Sequence, residues 1–292
     1  MDLKALRTFL AVAETGSISA ASGQLHSVQS NITARIKALE AELGAELFLR
    51  SRRGMRLSAA GEVLLPHARE VIAAAARARR AVEGFADRPA LLRLGSMETT
   101  LAVRLTPALA RFRAAHPGLR IRAETGTTGE LAARLLEGEI DLGFIAGPFP
   151  HPDLIATPVF REEMVLVTHP DLPDIAAAAN QTVIAFRAGC SYRAFALDWL
   201  RRAGLAPNDI FELGTLDGIL GCVAAGIGIA LLPLSAAQAS PHRADLRLHR
   251  LEDGAGHIDT LAVTGRGAPE NAAVAGFLDC LAAGPARPGR PG

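Results

Sequence analysis

Three short amphipathic helices with tight turns, within the first 44 residues, constrain the fold of this chain more than any other feature. Apolar residues at helical spacing mark the first of them: Leu3, Leu6, Leu10 and Ala13, with Phe9 beside them. Gly16 can end that helix, and Ser17 can cap the next one.

The second helix is defined by Ile18, Ala21 and Leu25, and residues 26–28 form the turn that follows it. The third helix ends at Gly44. Four residues form its apolar face: Ile32, Ile36, Leu39 and Leu43. Three helices this short, with turns this tight, predict a helix-turn-helix.

A small hairpin, or wing, is predicted directly after the third helix. Segments 47–50 and 55–57 flank an Arg-Gly dipeptide of the kind that forms hairpin turns. Four arginines lie within seven residues there: Arg50, Arg52, Arg53 and Arg56. Contact with DNA phosphates is a natural use of such a cluster, although a solvated basic hairpin also fits the sequence.

A polar face lies about a quarter-turn from the apolar face of the third helix, at about 100° per residue. Its members are Gln29, Ser30, Thr33 and Lys37, and Ser19 of the second helix is a further candidate. Glutamine can bond adenine edges in the major groove, and Ser or Thr can bond bases or phosphates. Together with the arginine-rich hairpin, this face predicts a DNA-reading surface.

A long helix is predicted to begin near Ser58. Its apolar residues keep heptad spacing over almost three heptads: Leu64, Ala68, Val71, Ala75, Ala78 and Val82. Such spacing predicts a helix that pairs with a second copy, which a two-half-site operator also requires. The alternative is an alanine-rich helix that lies on its own domain.

After a break at 84–89, strand and helix patterns alternate, which predicts an α/β architecture with mostly parallel sheets. The predicted strands are 91–94, 119–123, 140–145, 164–168, 182–185, 227–232 and 260–263. The predicted helices are 100–115, 130–136, 191–202, 216–225 and 269–282. Residues 285–292 are rich in Pro and Gly and are expected to be disordered.

Composition adds little beyond this pattern. The net charge is +1, but residues 1–90 hold 13 Lys/Arg against 9 Asp/Glu. The N-terminal part is therefore mildly basic and the remainder mildly acidic. Three scattered cysteines argue against a disulfide framework or zinc site, and no cofactor or metal is expected. We see no signal-peptide pattern and no transmembrane-length apolar run, so a cytoplasmic location without a membrane partner is expected.

The stretch 3–61 resembles the DNA-binding domain of LysR-type transcriptional regulators. The matching elements include Phe9, Val12-Ala13, Gly16-Ser17, Ala20-Ala21, Leu25-His26, Gln29, Ile36, Leu39-Glu40, Leu43-Gly44, Leu47-Phe48, Arg50, Leu57 and Ala60-Gly61. The resemblance continues more thinly to the end of the chain. It implies a regulator that binds promoter DNA as a homodimer or homotetramer and responds to a small-molecule effector. RNA polymerase is a further candidate partner.

The same resemblance implies the domain organisation. Residues 1–58 would form the winged helix-turn-helix, 59–88 the dimerisation helix, and 89–284 an effector-binding domain with two lobes, like periplasmic binding proteins. Lobe one would hold about 90–163 and 263–284, and lobe two about 164–262.

Some positions depart from the family pattern. Ser27-Val28 stands where the family usually has Val-Ser, Ser30 where it has Pro, and Ala34 where an arginine often touches DNA. The preferred operator is therefore open. The segments VQSNITARI, GSMETT, FRAGCSYR and GCVAAGIGIALLP are similar to the family's regulator of putrescine-utilisation genes.

The implied effector site lies in the cleft between the lobes, at strand ends and helix N-termini, where ligands of open α/β sheets collect. The candidates from lobe one are Ser96, Met97, Glu98, Thr99, Thr100, Thr127, Thr128 and Gly147. The candidates from lobe two are Phe186, Arg187, Cys190, Ser191 and Tyr192. Helix capping and turn formation are the alternative uses of these loops.

Two of these residues bear on the kind of effector. Glu98 suggests an amine or amino acid, unless it pairs with Arg187 or Arg193 and locks the lobes; either arginine could instead bind a carboxylate. Cys190, at a predicted helix N-terminus beside arginines, suggests a lowered thiol pKa and a redox-sensing alternative.

The remaining alternative is a small-molecule-binding protein or enzyme without a regulatory role. The chain lacks the GxSxG, HExxH, Walker and GxGxxG motifs, so the sequence favours a protein that is not an enzyme.

Overall fold

The computed structural model describes residues 1–25, 27–51, 54–83, 91–251, 256–266 and 271–283. These residues form two units, an N-terminal unit and a larger α/β unit. His26, Arg52, Arg53 and the predicted disordered tail lie outside the described residues. No helix of the described ranges is long and apolar enough to cross a membrane.

The N-terminal unit has the predicted order of elements. Its helices are α1 (Leu3–Thr15), α2 (Ile18–Gln24), α3 (Gln29–Leu43) and α4 (Ala59–Glu83), and its hairpin is β1 (Phe48–Ser51) with β2 (Gly54–Leu57). Gly16 and Gly44 end α1 and α3 in the left-handed conformation, and the Ser17 side chain caps α2 by accepting from the Ala20 N–H. The three helices, the caps and the hairpin are confirmed.

One apolar core joins these elements. Phe9 is fully buried and lies 5.3 Å from the Phe48 ring, centroid to centroid, which ties α1 to the hairpin. Oε1 of Glu40 on α3 accepts from the Leu47 N–H at 2.8 Å, just ahead of β1. The hairpin is therefore held at a fixed place beside α3.

The long helix α4 packs on its own unit over part of its length only. Ala68 and Ile72 are buried in the core of the N-terminal unit. Val63, Val71 and Val82 are 67%, 40% and 71% exposed, although all are apolar. Ala68 of the predicted heptad seam is therefore covered by the chain's own unit, while Val71 and Val82 of the same seam are open, and pairing with a second copy stays a prediction.

The α/β unit begins with the elements of lobe one. These are β3 (Leu91–Ser96), α5 (Glu98–Thr100), a π-helical turn (Leu101–Leu105), α6 (Thr106–Ala115), β4 (Arg120–Thr125), α7 (Thr128–Leu136) and β5 (Leu142–Ala146). A long strand, β6 (Leu154–Thr168), then leads into lobe two.

Lobe two holds β7 (Thr182–Phe186), α8 (Ser191–Arg202), β8 (Asp209–Leu213), α9 (Leu216–Ala224), β9 (Ala230–Pro233), α10 (Leu234–Ala239) and β10 (Arg247–Arg250). Two 3-10 turns, Ala176–Ala178 and Arg243–Asp245, lie between them. The chain returns through β11 (His257–Gly265) to α11 (Ala272–Ala282).

Two strands cross between the lobes. Residues 154–163 of β6 pair with β11, whereas residues 164–168 pair with β9 and β10. Strands β3, β4 and β5 are parallel to one another, as are β7 and β8, but β6 and β11 are antiparallel to all their partners. The expectation of mostly parallel sheets is therefore wrong for the middle of the molecule, because one crossover leaves lobe one and the other returns to it.

Each lobe has its own apolar core. Phe112, Phe144 and Phe277 meet edge-to-face in lobe one, where α11 returns to cover the sheet. Trp199 packs with Val183 and Leu231 in lobe two. Separate cores joined by two strands are the arrangement that allows the lobes to change their relative angle.

Candidate functional site

The polar residues of α3 form one surface with α2. Gln29, Ser30 and Lys37 are exposed, as is Ser19, and Thr33 is half-buried. The Gln29 amide donates to the Ser19 hydroxyl at 3.2 Å, and the Thr33 hydroxyl donates to the Gln29 carbonyl oxygen at 2.9 Å. An exposed helix face of short hydrogen-bonding side chains has the size and chemistry for the major groove.

The structure describes the predicted arginine cluster in part. Arg56 is exposed on β2, opposite Leu49. The backbone of Arg50 pairs with Met55 in the hairpin, and Arg52 and Arg53 belong to the residues outside the described ranges. The hairpin thus presents at least one exposed cation to solvent.

A cavity of about 260 Å³ lies between the lobes of the α/β unit. Ten of the residues predicted from the sequence line it: Met97, Glu98, Thr99, Thr127, Thr128, Phe186, Arg187, Cys190, Ser191 and Tyr192. They come from the loops after β3, β4 and β7, whose ends meet at this cleft. Helix capping alone therefore does not account for them.

Three predicted residues do not line this cavity. Ser96 is buried and its hydroxyl donates to the Met97 carbonyl oxygen, and Thr100 is buried behind the lining residues. Gly147 faces Leu261, since a Cβ built on it would lie 3.0 Å from that side chain. These three belong to the packing behind the cleft.

Several lining residues were not predicted from the sequence, namely Thr125, Glu130 and Gly214. Thr127 and Glu130 form a capping box at the start of α7, and the T-x-x-E spacing could have revealed it. Gly214 follows β8, a strand that the sequence did not predict.

Two hydrogen bonds cross the cleft at the cavity. The hydroxyls of Thr128 on α7 and Ser191 on α8 are 2.9 Å apart. The Leu216 N–H of α9 donates to Oε1 of Glu98 at 3.2 Å. The lobes are therefore joined through Thr128, Ser191 and Glu98, which also line the cavity.

Glu98 forms no ion pair with an arginine of the residues that the structure describes. Arg193 pairs with Glu212, and no ion pair joins Arg187 to any residue within the described ranges. Burial raises the pKa of Glu98, and the Leu216 N–H and the Thr99 hydroxyl offset this in part. The lobe-locking ion pair is thus wrong, but Glu98 still bridges the lobes through a backbone amide.

The predicted lowering of the Cys190 pKa is also wrong. Burial raises the pKa of this thiol, and the backbone amides of Arg193 and Tyr192 and the charge of Arg193 offset the effect only in part. Desolvation outweighs the helix N-terminus because the thiol is packed into the cavity wall rather than exposed. The structure thus gives no support to a reactive thiolate at neutral pH.

We expect Cys190 to react with a disulfide reagent several-fold more slowly at pH 7.5 than a free cysteine, because its raised pKa lowers the thiolate fraction. The rate should keep rising with pH beyond the range in which a free thiol has fully ionised. Comparing thiol release from the native chain and from Cys190→Ala isolates this residue from Cys222 and Cys280. A fast phase at pH 7 that the substitution abolishes would restore the redox-sensing alternative.

A buried polar cluster lies where β6 crosses between the lobes. The carboxylate of Glu162 accepts from Nε and Nη2 of Arg104 at 2.7 and 2.8 Å, and from the Ser235 hydroxyl at 2.8 Å. Arg104 belongs to the π-helical turn of lobe one, and Ser235 to α10 of lobe two. One carboxylate on the crossover strand therefore ties together both lobes.

Tyr192 extends this cluster to the cavity. Burial raises the pKa of its phenol to about 12, an effect that the Glu162 charge increases and the Thr100 and Thr260 hydroxyls offset in part. Those two threonine hydroxyls are buried without a hydrogen bond of normal geometry. The pKa of Tyr192, which lines the cavity, therefore depends on the charge of Glu162 on the crossover strand.

A winged helix-turn-helix with an exposed polar reading face, together with a two-lobed α/β domain around a cavity, defines a ligand-responsive DNA-binding protein. The model of the bacterial regulatory helix-turn-helix protein, lysR family, matches residues 3–62, and that of the LysR substrate binding domain matches residues 87–286. The chain belongs to the LysR family of DNA-binding transcriptional regulators.

Known relatives match nearly the whole chain. It is 39% identical over 279 residues to the transcriptional regulator YusT of Bacillus subtilis strain 168, covering 96% of this chain and 95% of that protein. It is 37% identical over 281 residues to the regulator GltR of the same strain, covering 95% of each. The crystal structure of the LysR family regulator CbnR matches with a TM-score of 0.54 and 25% identity, over 96% of this chain and 100% of that one.

Proposed function

We propose that this regulator binds promoter DNA as a homodimer or homotetramer and that the cavity between its lobes is the effector site. The observation that carries the proposal is the pair of hydrogen bonds across the cleft, Thr128 to Ser191 and Leu216 to Glu98. A ligand in the cavity contacts these groups directly. It therefore binds one lobe angle better than another, which is the requirement for a shift between two states.

DNA reading is assigned to α3 and the wing. Gln29, Ser30 and Thr33 contact base edges, with Ser19 positioning Gln29, while Lys37 and the wing arginines contact phosphates. The exposure of the α3 surface and the Gln29–Ser19 bond support this assignment.

Self-association is assigned to α4. Two exposed valines of the predicted heptad seam, Val71 and Val82, lie on one face of the helix, which a second copy covers. A dimer supplies the two-fold symmetry that two half-sites one helical turn apart require. We further propose that the protein acts in the cytoplasm and contacts RNA polymerase at the promoter. We also propose that it shares pocket segments, but not the diamine ligand, with the regulator of putrescine-utilisation genes.

Anisotropy measurements with the chain's own upstream DNA test the DNA assignment. We expect Gln29→Ala to lose about 1–3 kcal/mol at one base position and to relax the preference there. Lys37→Ala should weaken binding to every sequence and reduce the salt slope by about 0.9, the value for one phosphate contact.

Arg113→Ala is a matched control, because it removes an exposed cation from the α/β unit. It should leave both the affinity and the salt slope unchanged. Equal effects of all three substitutions, or binding no tighter than to random DNA, would contradict the assignment.

A further inference from the structure

Three charged side chains line the cavity, and their existing partners indicate what a ligand must supply. They are Glu98, Glu130 and Arg187. A charged group that already has its hydrogen bonds gains little from a ligand, whereas one that lacks them gains most.

Glu98 has one oxygen in use and one without a partner. Oε1 accepts from the Leu216 N–H, while Oε2 is buried with no hydrogen bond of normal geometry, although the nearby Thr99 hydroxyl lowers the pKa of the carboxyl. A buried carboxylate oxygen without a donor is costly, and a positively charged N–H donor is its strongest partner. Glu98 therefore favours an ammonium group.

Glu130 is already used by the fold. Its Oε2 accepts from the Thr127 N–H at 2.8 Å, and its own N–H donates to the Thr127 hydroxyl at 3.4 Å. This capping box holds the first turn of α7 with one oxygen of the carboxylate, so an ammonium group bound at Glu130 would compete with the helix cap.

Arg187 has no hydrogen bond or ion pair from its guanidinium to the residues that the structure describes. Its Nη2 lies 3.7 Å from the position of a Cβ on Gly214, and Glu98 is bonded to Leu216 two residues later. The free guanidinium and the half-satisfied carboxylate thus flank the same short turn, one supplied by each lobe. A guanidinium in this state favours a carboxylate ligand, which it can bind through two N–H groups.

We propose that the effector is a small zwitterion of the amino-acid class, whose ammonium group donates to Glu98 and whose carboxylate accepts from Arg187. This inference rests on the proposed function of the cavity as the effector site. A diamine would bring its second cation against Arg187, and a dicarboxylate would bring like charge against Glu98. The cavity volume of about 260 Å³ is below that of pockets for drug-sized ligands, in agreement with a compact ligand.

Calorimetric titration of the full chain with the proteinogenic amino acids tests the proposal. Each amino acid that binds is compared with its decarboxylated amine and its deaminated acid, and putrescine and succinate represent the excluded classes. We expect the amino acid to bind about ten- to a hundredfold more tightly than either truncated compound, because each loses one charge-assisted hydrogen bond.

Two substitutions make the test specific. Glu98→Gln keeps an acceptor for the Leu216 N–H and should weaken the amino acid about tenfold or more while leaving the deaminated acid unchanged. Arg187→Gln should weaken the amino acid similarly and leave the amine unchanged. Arg113→Gln, outside the cavity, should alter neither.

The proposal is overturned if putrescine, succinate or a truncated compound binds tightest, if no amino acid binds, or if the two substitutions lack these opposite selectivities. Promoter anisotropy, measured with and without each compound, separates a failure of the proposed ligand class from a failure of the effector-site assignment. A ligand of another class that alters promoter binding overturns the zwitterion and leaves the effector site intact. An amino acid that binds as described without altering promoter binding supports the ligand class and contradicts the effector role.

Discussion

Replacing Arg104 with leucine is expected to destabilise the α/β unit by about 1–3 kcal/mol, because the buried Glu162 loses its charged partner while the Arg104 side chain itself is 34% exposed to screening solvent. Glu162 is only 3% exposed, so its carboxylate would remain buried with the Ser235 hydroxyl as its one remaining donor. The substitution also removes the cation from the face of Phe160, whose ring centroid lies 5.4 Å from the guanidinium carbon. Urea denaturation followed by the fluorescence of Trp199, the single tryptophan, measures the loss.

The double variant Arg104→Leu/Glu162→Leu is the informative control. Replacing both partners of a buried pair by apolar residues is often neutral, because no charge is left without a partner. We therefore expect the double variant to recover most of the stability that Arg104→Leu loses. Equal losses in both variants would show that packing around the π-helical turn, and not the buried charge, sets the stability of the crossover.

The fold of the N-terminal unit could be predicted from the sequence because its signals are local. Gly16, Ser17 and Gly44 act within one helical turn of where they stand, and the apolar period lies within each helix. Of the two crossover strands, the sequence predicted only the apolar parts, residues 164–168 of β6 and 260–263 of β11. The ten residues of β6 before 164 mix exposed and buried positions without a regular alternation, so no strand was predicted there. The edge strand β8 is largely exposed and has no clear alternation, so it was missed.

The cavity was predictable in outline and the crossover cluster was not. Polar loops after β3, β4 and β7 could be recognised because parallel strand ends converge. In the sequence, Glu162 lies 58 positions from Arg104 and 73 positions from Ser235. Each of these three residues, taken alone, is of a type that is common at protein surfaces. The pKa direction of Cys190 depends on burial, which motif position does not reveal.

Replacing Phe9 with alanine is expected to destabilise the N-terminal unit by about 3–5 kcal/mol, the range for removing a buried phenylalanine ring. The ring is fully buried and contacts Phe48, so its loss opens a cavity between α1 and the hairpin. A small unit has little stability in reserve, since whole domains are stable by only about 5–15 kcal/mol. Hydrogen exchange should therefore show faster exchange throughout α1 and α3, and promoter binding should fall steeply.

Leu3→Ala is the matched control on the same helix. Leu3 is 44% exposed, so the same kind of truncation removes little buried surface and should change exchange and DNA affinity only slightly. Neither substitution should change the denaturation midpoint reported by Trp199, which lies in the core of lobe two. A midpoint that shifts with Phe9→Ala would mean that the two units unfold together. If α1 and α3 unfold while the Trp199 denaturation midpoint stays unchanged, the N-terminal unit and the α/β unit fold independently. DNA reading and effector binding would then depend on two separately stable units.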